Sequence, residues 1–232
     1  MVHRPDITDA LAHVARHLNE TRSLESTLDT IVETAVRSLE GIDHVGVTIA
    51  YRDGRMATRA ASDQLVTVLD QLQYDLGEGP CVHAIHQEPV TRIEHADRER
   101  RWPRFMVPAV SHGLRSQLGL RLYAERETLG SLNLYSTSVD VIDPDVQPMA
   151  ELFAAHASIA LGRARRDEDL SAALLTRKVI GQAIGILMER YDLDEDEAFA
   201  YLARVSSRSN VKLRDVAKEV VDQRNDATRT AD

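Results

Sequence analysis

"TRKVIGQAIGILMERYDLDEDEAFAYLARVSSRSN", residues 176–210, decides how the C-terminal part of this 232-residue chain is built. Val179, Ile180, Ala183, Ile184, Ile186, Leu187 and Met188 cover a broad apolar arc at helical spacing, which predicts a first helix over roughly 168–190. Asp194 followed by Glu197 reads as a capping box opening a second helix, with more acids at its positive end. Ala198, Phe199, Leu202 and Val205 are expected to form its buried face. Asn210 is expected to cap a third helix, in which Leu213, Val216, Ala217, Val220 and Val221 recur at i, i+3, i+4, i+7 and i+8. Gly181 and Gly185 interrupt the first helix, and each costs about 1 kcal/mol relative to alanine there. Both sit at the edge of the apolar arc, beside Lys178, Gln182 and Glu189. A neighbouring helix or a flat nucleotide could each use the thinned surface.

Upstream, nothing forces a break in the helix between Pro148 and about Arg190, although Gly162 is a weak point. A helix of that length rarely stands alone in water, and pairing with a second copy of the chain is the expected solution. All seven prolines lie at or before Pro148, and eight of the eleven glycines lie before residue 131. This shift in punctuation separates two domains. In the first half, "SLESTLDTIVETAVRSLEG" carries Leu24, Leu28, Ile31, Val32, Ala35, Val36 and Leu39 on one helical stripe. Val45, Val47, Ile49 and Tyr51 then alternate into the turn at Asp53-Gly54, a hairpin signal. A helix around 63–73, a short helix entered at Pro80 and a strand after Pro89 follow. "SQLGLRLYAERETLGSLNLYST" makes a second hairpin with its turn near 125–128. The order describes an α+β fold on a largely antiparallel sheet.

Composition excludes several classes. No apolar run approaches the ~20 residues that span a bilayer, and the N-terminal stretch lacks a signal-peptide core, so a cytoplasmic protein without membrane partners is expected. Cys81 is the only cysteine, which rules out an intrachain disulfide. The net charge of −9 argues against bulk nucleic-acid binding. Residues 170–224, however, hold nine Lys/Arg against nine Asp/Glu, with the acids crowded into 189–197 and a basic run at Arg204, Arg208, Lys212, Arg214 and Lys218. That local asymmetry suits a selective nucleic-acid contact.

"GEGPCVHAI", "RRWPRF", "GLRSQLGLRLY" and "LGSLNLYS" resemble a GAF domain of the kind found in actinobacterial regulators. The resemblance implies a sensory domain over residues 20–165, behind a helical extension at 1–19, whose pocket between sheet and helices takes an unknown small molecule. Tyr51, Trp102 and His112 are its candidate pocket liners. "RKVIGQAIGILMERYDLDEDEAFAYL" with "SRSNVKLRDVAKEVV" resembles an ANTAR domain, expected over 166–228. Such three-helix modules bind paired stem-loops in nascent transcripts and so prevent a terminator from forming. The family often has lysine where Ile184 stands, so no RNA contact carries over to that position. The resemblance implies a GAF-type antiparallel sheet flanked by helices and joined by a long helix to an all-α three-helix bundle. The length of the joining helix adds the expectation of a homodimer paired through those helices, presenting two RNA-binding heads.

RNA stem-loops are read through phosphates and unstacked loop bases. Arg208, Lys212, Arg214 and Lys218 are the candidate phosphate contacts, Gln182, Ser206 and Asn210 are candidates for base edges, and Lys178 is a further candidate RNA contact. Tyr201 either stacks on a base or belongs to the small core.

Catalytic and metal motifs fail. "DLDED" opens like a calcium loop, but Glu197 and Ala203 stand where glycine and glutamate are needed. Cys81, His83 and His86 invite a reactive thiol or a metal, yet no local third ligand or resolving cysteine follows. No spacing marks an acid/base pair or nucleophile elbow, so neither an enzyme nor a required cofactor is expected. Two rivals stay open. Three short helices also describe a DNA-binding helix-turn-helix regulator, and the chain could be a small-molecule-sensing dimerisation module that binds no nucleic acid.

Overall fold

A computed structural model describes residues 23–124 and 127–229. The expected extension at 1–19 and the tip of the second hairpin, Glu125 and Arg126, lie outside the described residues. Contacts divide the chain into two units that meet between Ala164 and Arg165.

The N-terminal unit is built on one antiparallel sheet. Its strands are β1 (His44–Ala50), β2 (Met56–Ala61), β3 (Val90–Ile93), β4 (Ser116–Ala124) and β5 (Glu127–Ser136), in the order β2-β1-β5-β4-β3. β1 and β2 are closed by the expected Asp53-Gly54 turn, where Gly54 takes a φ of 85°. Helices α1 (Leu24–Ser38), α2 (Gln64–Leu76), α3 (Pro80–His86) and α4 (Pro103–Ser111) fill the connections.

Strand alternation sorts the two faces of the sheet. Val45 and Val47 on β1, Leu118, Leu120 and Leu122 on β4, and Leu132 and Leu134 on β5 are buried in one apolar cluster. The stripe of α1, with Leu28, Ile31, Val32 and Ala35, packs into that cluster, as do Phe153, Ala157 and Leu161 downstream. Each fully buried leucine contributes about 1.5–3 kcal/mol relative to an exposed one. The other face carries Thr48, Gln117, Ser131, Asn133 and Tyr135, all fully buried. Gly119 lets α3 lie against this face, since a Cβ there would sit 3.0 Å from the Pro80 carbonyl oxygen.

Helix α5 runs unbroken from Val146 to Tyr191, 46 residues, and Gly162 does not interrupt it. Its later part joins α6 (Glu195–Ser209) and α7 (Leu213–Arg229) in the C-terminal unit. By length and composition α5 could cross a bilayer, with a window of mean hydropathy 1.3. Its apolar positions have another use: Ala183 and Leu187 close the core of the bundle against Ala198, Leu202, Val216 and Ala217. The adjacent Arg177 and Lys178 would each cost about 2.5–3.5 kcal/mol at the centre of a membrane helix.

Two local expectations are corrected. Asn210 does not start the third helix. It ends α6 in the left-handed conformation, φ 55°, a geometry asparagine tolerates at a helix C-terminus, and α7 begins at Leu213. Phe199 is not part of the buried face of α6 but is 45% exposed, because the small core is already closed by Ala198 and Leu202.

Candidate functional site

The C-terminal unit rests on a well-capped α6. The Asp194 carboxylate accepts from the Glu197 amide at 2.8 Å, and the Glu197 carboxylate accepts from the Asp194 amide at 3.1 Å. At the other end Ser206 Oγ donates to the Val211 carbonyl at 2.6 Å, closing the corner between α6 and α7. That bond commits the Ser206 proton to the turn, leaving only the lone pairs of its oxygen for a base edge.

Arg208, Asn210, Lys212 and Arg214 cluster at this corner, all exposed. Arg214 pairs with its neighbour Asp215, at 3.3 Å. Arg204, Arg208, Lys212 and Lys218 form no ion pair among the described residues, so their charge is available to a partner. Lys218 lies one turn beyond Arg214 on α7. Lys178 and Gln182 are exposed one turn apart on α5, away from the corner in sequence. Tyr201 is 40% exposed, with its ring centroid 6.2 Å from that of Tyr191.

The helical spacing also hid a groove. Gln182, Gly185, Ile186 and Glu189 on α5 face Val221, Arg224 and Asn225 on α7 across about 450 Å³. The spacings 178, 182, 185, 189 and 214, 218, 221, 225 place each set on one helical stripe. Which stripes meet depends on how the helices are rotated, a fact no single periodicity carries.

In the N-terminal unit the three candidate liners are not brought together. Tyr51 lies beyond the end of β1 under the Arg55 guanidinium, 4.9 Å from its ring centroid. Trp102 is buried beside Phe105 with Arg101 over its ring at 4.4 Å. His112 is exposed at the end of α4.

The polar side chains gather elsewhere, between the sheet and helices α2 and α3. Asp70, fully buried on α2, accepts from Tyr135 Oη, from Thr58 Oγ1 at 2.8 Å and from Asn133 Nδ2 at 3.1 Å. Tyr74 Oη pairs with Thr48 Oγ1 at 2.7 Å and Thr58 Oγ1 at 2.9 Å. Burial pushes the Asp70 carboxyl above the ordinary range against the pull of these donors. Cys81 also ends here, its Sγ 3.0 Å from Ser131 Oγ. Burial first, then the Asp70 carboxylate, push its thiol up to about 12. Desolvation outweighs any gain from so short a helix, and Cys81 sits here as a buried small residue. Among the described residues no group of three or more His, Cys, Asp or Glu could hold a metal.

The sequence signal for this layer was present in the polar half of the "SLNLYS" alternation, which ordinarily faces water. Only the cover provided by α2 and α3 reveals it as interior.

A sheet with a buried polar layer, followed by a three-helix unit with an exposed cationic corner, has the form of a sensor joined to a nucleic-acid-binding output. The chain belongs to the GAF domain family, whose model matches residues 21–162, and it carries an ANTAR domain, the RNA-binding antitermination module, over residues 168–221. No curated protein matches the sequence. Among solved structures, the GAF domain of a phosphoenolpyruvate-protein phosphotransferase from Acinetobacter is similar at 17% identity and a TM-score of 0.56, covering 70% of this chain and 97% of its own. The corresponding Coxiella burnetii domain gives 16% and 0.56, with 72% and 99% covered. A phycocyanobilin-bound GAF domain from a cyanobacterial phytochrome gives 14% and 0.56, with 70% and 97% covered. At these identities the likeness establishes the fold of the N-terminal unit alone.

Proposed function

We propose that the chain is a non-enzymatic cytoplasmic antitermination regulator of the actinobacterial type, in which the sensory domain, residues 20–165, controls how the RNA-binding domain, residues 166–228, holds paired stem-loops of a nascent transcript. The observation that carries this reading is the exposed set Arg208, Lys212, Arg214 and Lys218, of which Arg208, Lys212 and Lys218 form no ion pair among the described residues. Exposed cations bind phosphates by releasing counterions. Lys178, Gln182, Ser206 and Asn210 complete the proposed contact set. The chain works as a homodimer. Leu170, Leu174 and Leu175 on α5 are 61%, 59% and 63% exposed, a greasy stripe that a second copy would cover.

The sensory input is a small molecule or condition acting on the buried polar layer around Asp70, which replaces the Tyr51, Trp102 and His112 set as the favoured region. A signal moves such an equilibrium only by binding one state better than the other.

The test compares binding of the full chain to a two-hairpin leader RNA and to promoter duplex DNA, with light scattering on the same samples. Selective RNA binding by a dimer is expected. Preference for the duplex, or a monomer with and without RNA, overturns the reading.

A further inference from the structure

The interior of the sensory domain holds polar atoms that its own fold leaves unpaired. Gln117 on β4 is fully buried, yet neither its Oε1 nor its Nε2 makes a hydrogen bond among the described residues. Thr91 Oγ1 on β3, Asn133 Oδ1 on β5 and Arg121 Nη2 on β4 are buried and unpaired in the same way. A buried polar atom without a partner loses its hydration and gains nothing in exchange. The strand register brings these atoms together. Gly119 pairs with Thr91 on one side and Asn133 on the other, and Gln117 and Arg121 lie two residues before and after it on β4. Alternation along the strands turns all four side chains to the face that α3 covers, where Ala84 lies over Gly119. Two of them are held in place by their other ends. Arg121 Nε donates to the Ala84 carbonyl at 2.6 Å, and Asn133 Nδ2 donates to Asp70 at 3.1 Å.

We propose that the ring of side chains around Gly119 is a binding site for a small apolar α-amino acid, held as its zwitterion. The proposal rests on the sensory reading above and names the chemistry of its signal. The unpaired atoms select the ligand. Gln117 Oε1 and Asn133 Oδ1 only accept, so the ligand must present N–H donors. Gln117 Nε2 and Arg121 Nη2 only donate, so it must also present acceptors, and a guanidinium favours those of a carboxylate. An ammonium and a carboxylate on one carbon supply both, and the Thr91 hydroxyl serves either. Net charge decides against the rivals. A phosphate dianion would meet one guanidinium and two carbonyl oxygens, with the Asp70 carboxyl behind Asn133. A simple amine would leave Arg121 Nη2 unpaired, whereas the zwitterion buries no net charge. The walls set the side chain: Ile93 pairs with Gln117 across the strands, and Ala84 and Ile85 of α3 are buried, so a short apolar group fits. Half-buried Arg121 and the exposed residues 86–89 put the way in at the C-terminal end of α3, away from Cys81 at its start.

The experiment is thermal melting of the full chain with millimolar alanine, valine or leucine, and with propionate, isobutylamine and inorganic phosphate as partial mimics. Wild type, Gln117→Met and Arg121→Met are compared, and circular dichroism checks that each is folded. At about tenfold excess over Kd, one of the amino acids should raise the Tm of the wild-type sensory domain by roughly 2–5 °C, and the mimics should leave it unchanged. Gln117→Met removes two unpaired buried atoms at nearly constant shape, so without ligand it should melt above the wild type, and it should lose the response. A glutamine with a merely structural role would melt lower on substitution. Arg121→Met should weaken the amino acid by about tenfold or more in calorimetric titration. Equal stabilisation by propionate or phosphate overturns the zwitterion in favour of an anion site. If no amino acid acts, a defined mixture of nucleosides, sugars and organic acids separates the remaining cases. Stabilisation by the mixture that Gln117→Met abolishes overturns the amino acid and keeps the polar layer as the sensor. No stabilisation, or the same stabilisation in all three proteins, overturns both.

Discussion

The Tyr135 hydroxyl on β5 donates to the carboxylate of Asp70 on α2, joining the sheet to its covering helix in the interior of the sensory domain. Asp70 has no cation beside it, only neutral donors, so burial wins and its pKa is raised. The sign follows from linkage. An acid with a raised folded-state pKa binds more protons folded than unfolded between the two values, so stability falls as pH rises from about 4 through the folded-state value. Asp70→Asn removes the charge and keeps an acceptor, so it should be more stable than wild type at pH 7.5, with the advantage shrinking toward pH 4. Asp70→Ala strands the Thr58, Asn133 and Tyr135 donors and should cost roughly 1–3 kcal/mol. Urea melts across that pH range measure both.

Cys81 follows the same physics. Its thiol is buried, raised to about 12 and engaged with Ser131, so it should react with a disulfide reagent only at the rate of unfolding. Native-state labelling at pH 8 should be slow and should accelerate sharply near the urea midpoint. Rapid labelling of the folded protein would mean that the layer between α3 and the sheet opens readily, which would restore the thiol as a sensor candidate.

The glycines separate by what surrounds them. Gly181→Ala and Gly185→Ala should each stabilise the C-terminal unit by roughly 0.5–1 kcal/mol, since alanine is the better helix former and meets nothing. Gly119→Ala should destabilise, because its Cβ would press on the Pro80 backbone and push α3 off the sheet. Thermal melts of the three variants distinguish the two cases.

How far these features could be read from sequence depends on which interaction decides each one. Helices α5, α6 and α7 were legible because their apolar spacing is strong and local, and Asp194 with Glu197 caps through neighbours in sequence. Asn210 was legible as a helix boundary but not as to which side, because asparagine suits both an N-cap and a left-handed C-terminal residue. Ser131 and Asn133 alternate with leucines as solvent-facing residues do, and only tertiary cover buries them. The α5–α7 groove is written in two separate stripes, and nothing in either stripe says that they meet. Residue type alone singles out Tyr51, Trp102 and His112, and residue type does not carry position.

The left-handed turn gives a clean test of the corrected boundary. Asn210→Gly should be neutral or slightly stabilising, since glycine adopts a φ of 55° freely. Asn210→Ala should cost about 1 kcal/mol, the penalty for that conformation with a Cβ. An N-cap would give a different ranking, with glycine worse than asparagine by a few tenths of a kcal/mol. Chemical denaturation of the three proteins separates the two roles.

The cationic corner makes the last prediction. If Arg208, Lys212 and Arg214 each neutralise one phosphate, replacing all three by alanine should lower the slope of log affinity against log salt by about 2–3 units, at roughly 0.7–0.9 per contact. Each single replacement should weaken binding to all hairpin sequences alike, because a phosphate contact carries no base information. The capping box and the core of the bundle involve none of the three, so the melting temperature should hardly move. A triple variant that binds the two-hairpin RNA with wild-type affinity and slope would show that the RNA lies on another face. The α5 stripe from Lys178 to Glu189 would then be the surface to test next.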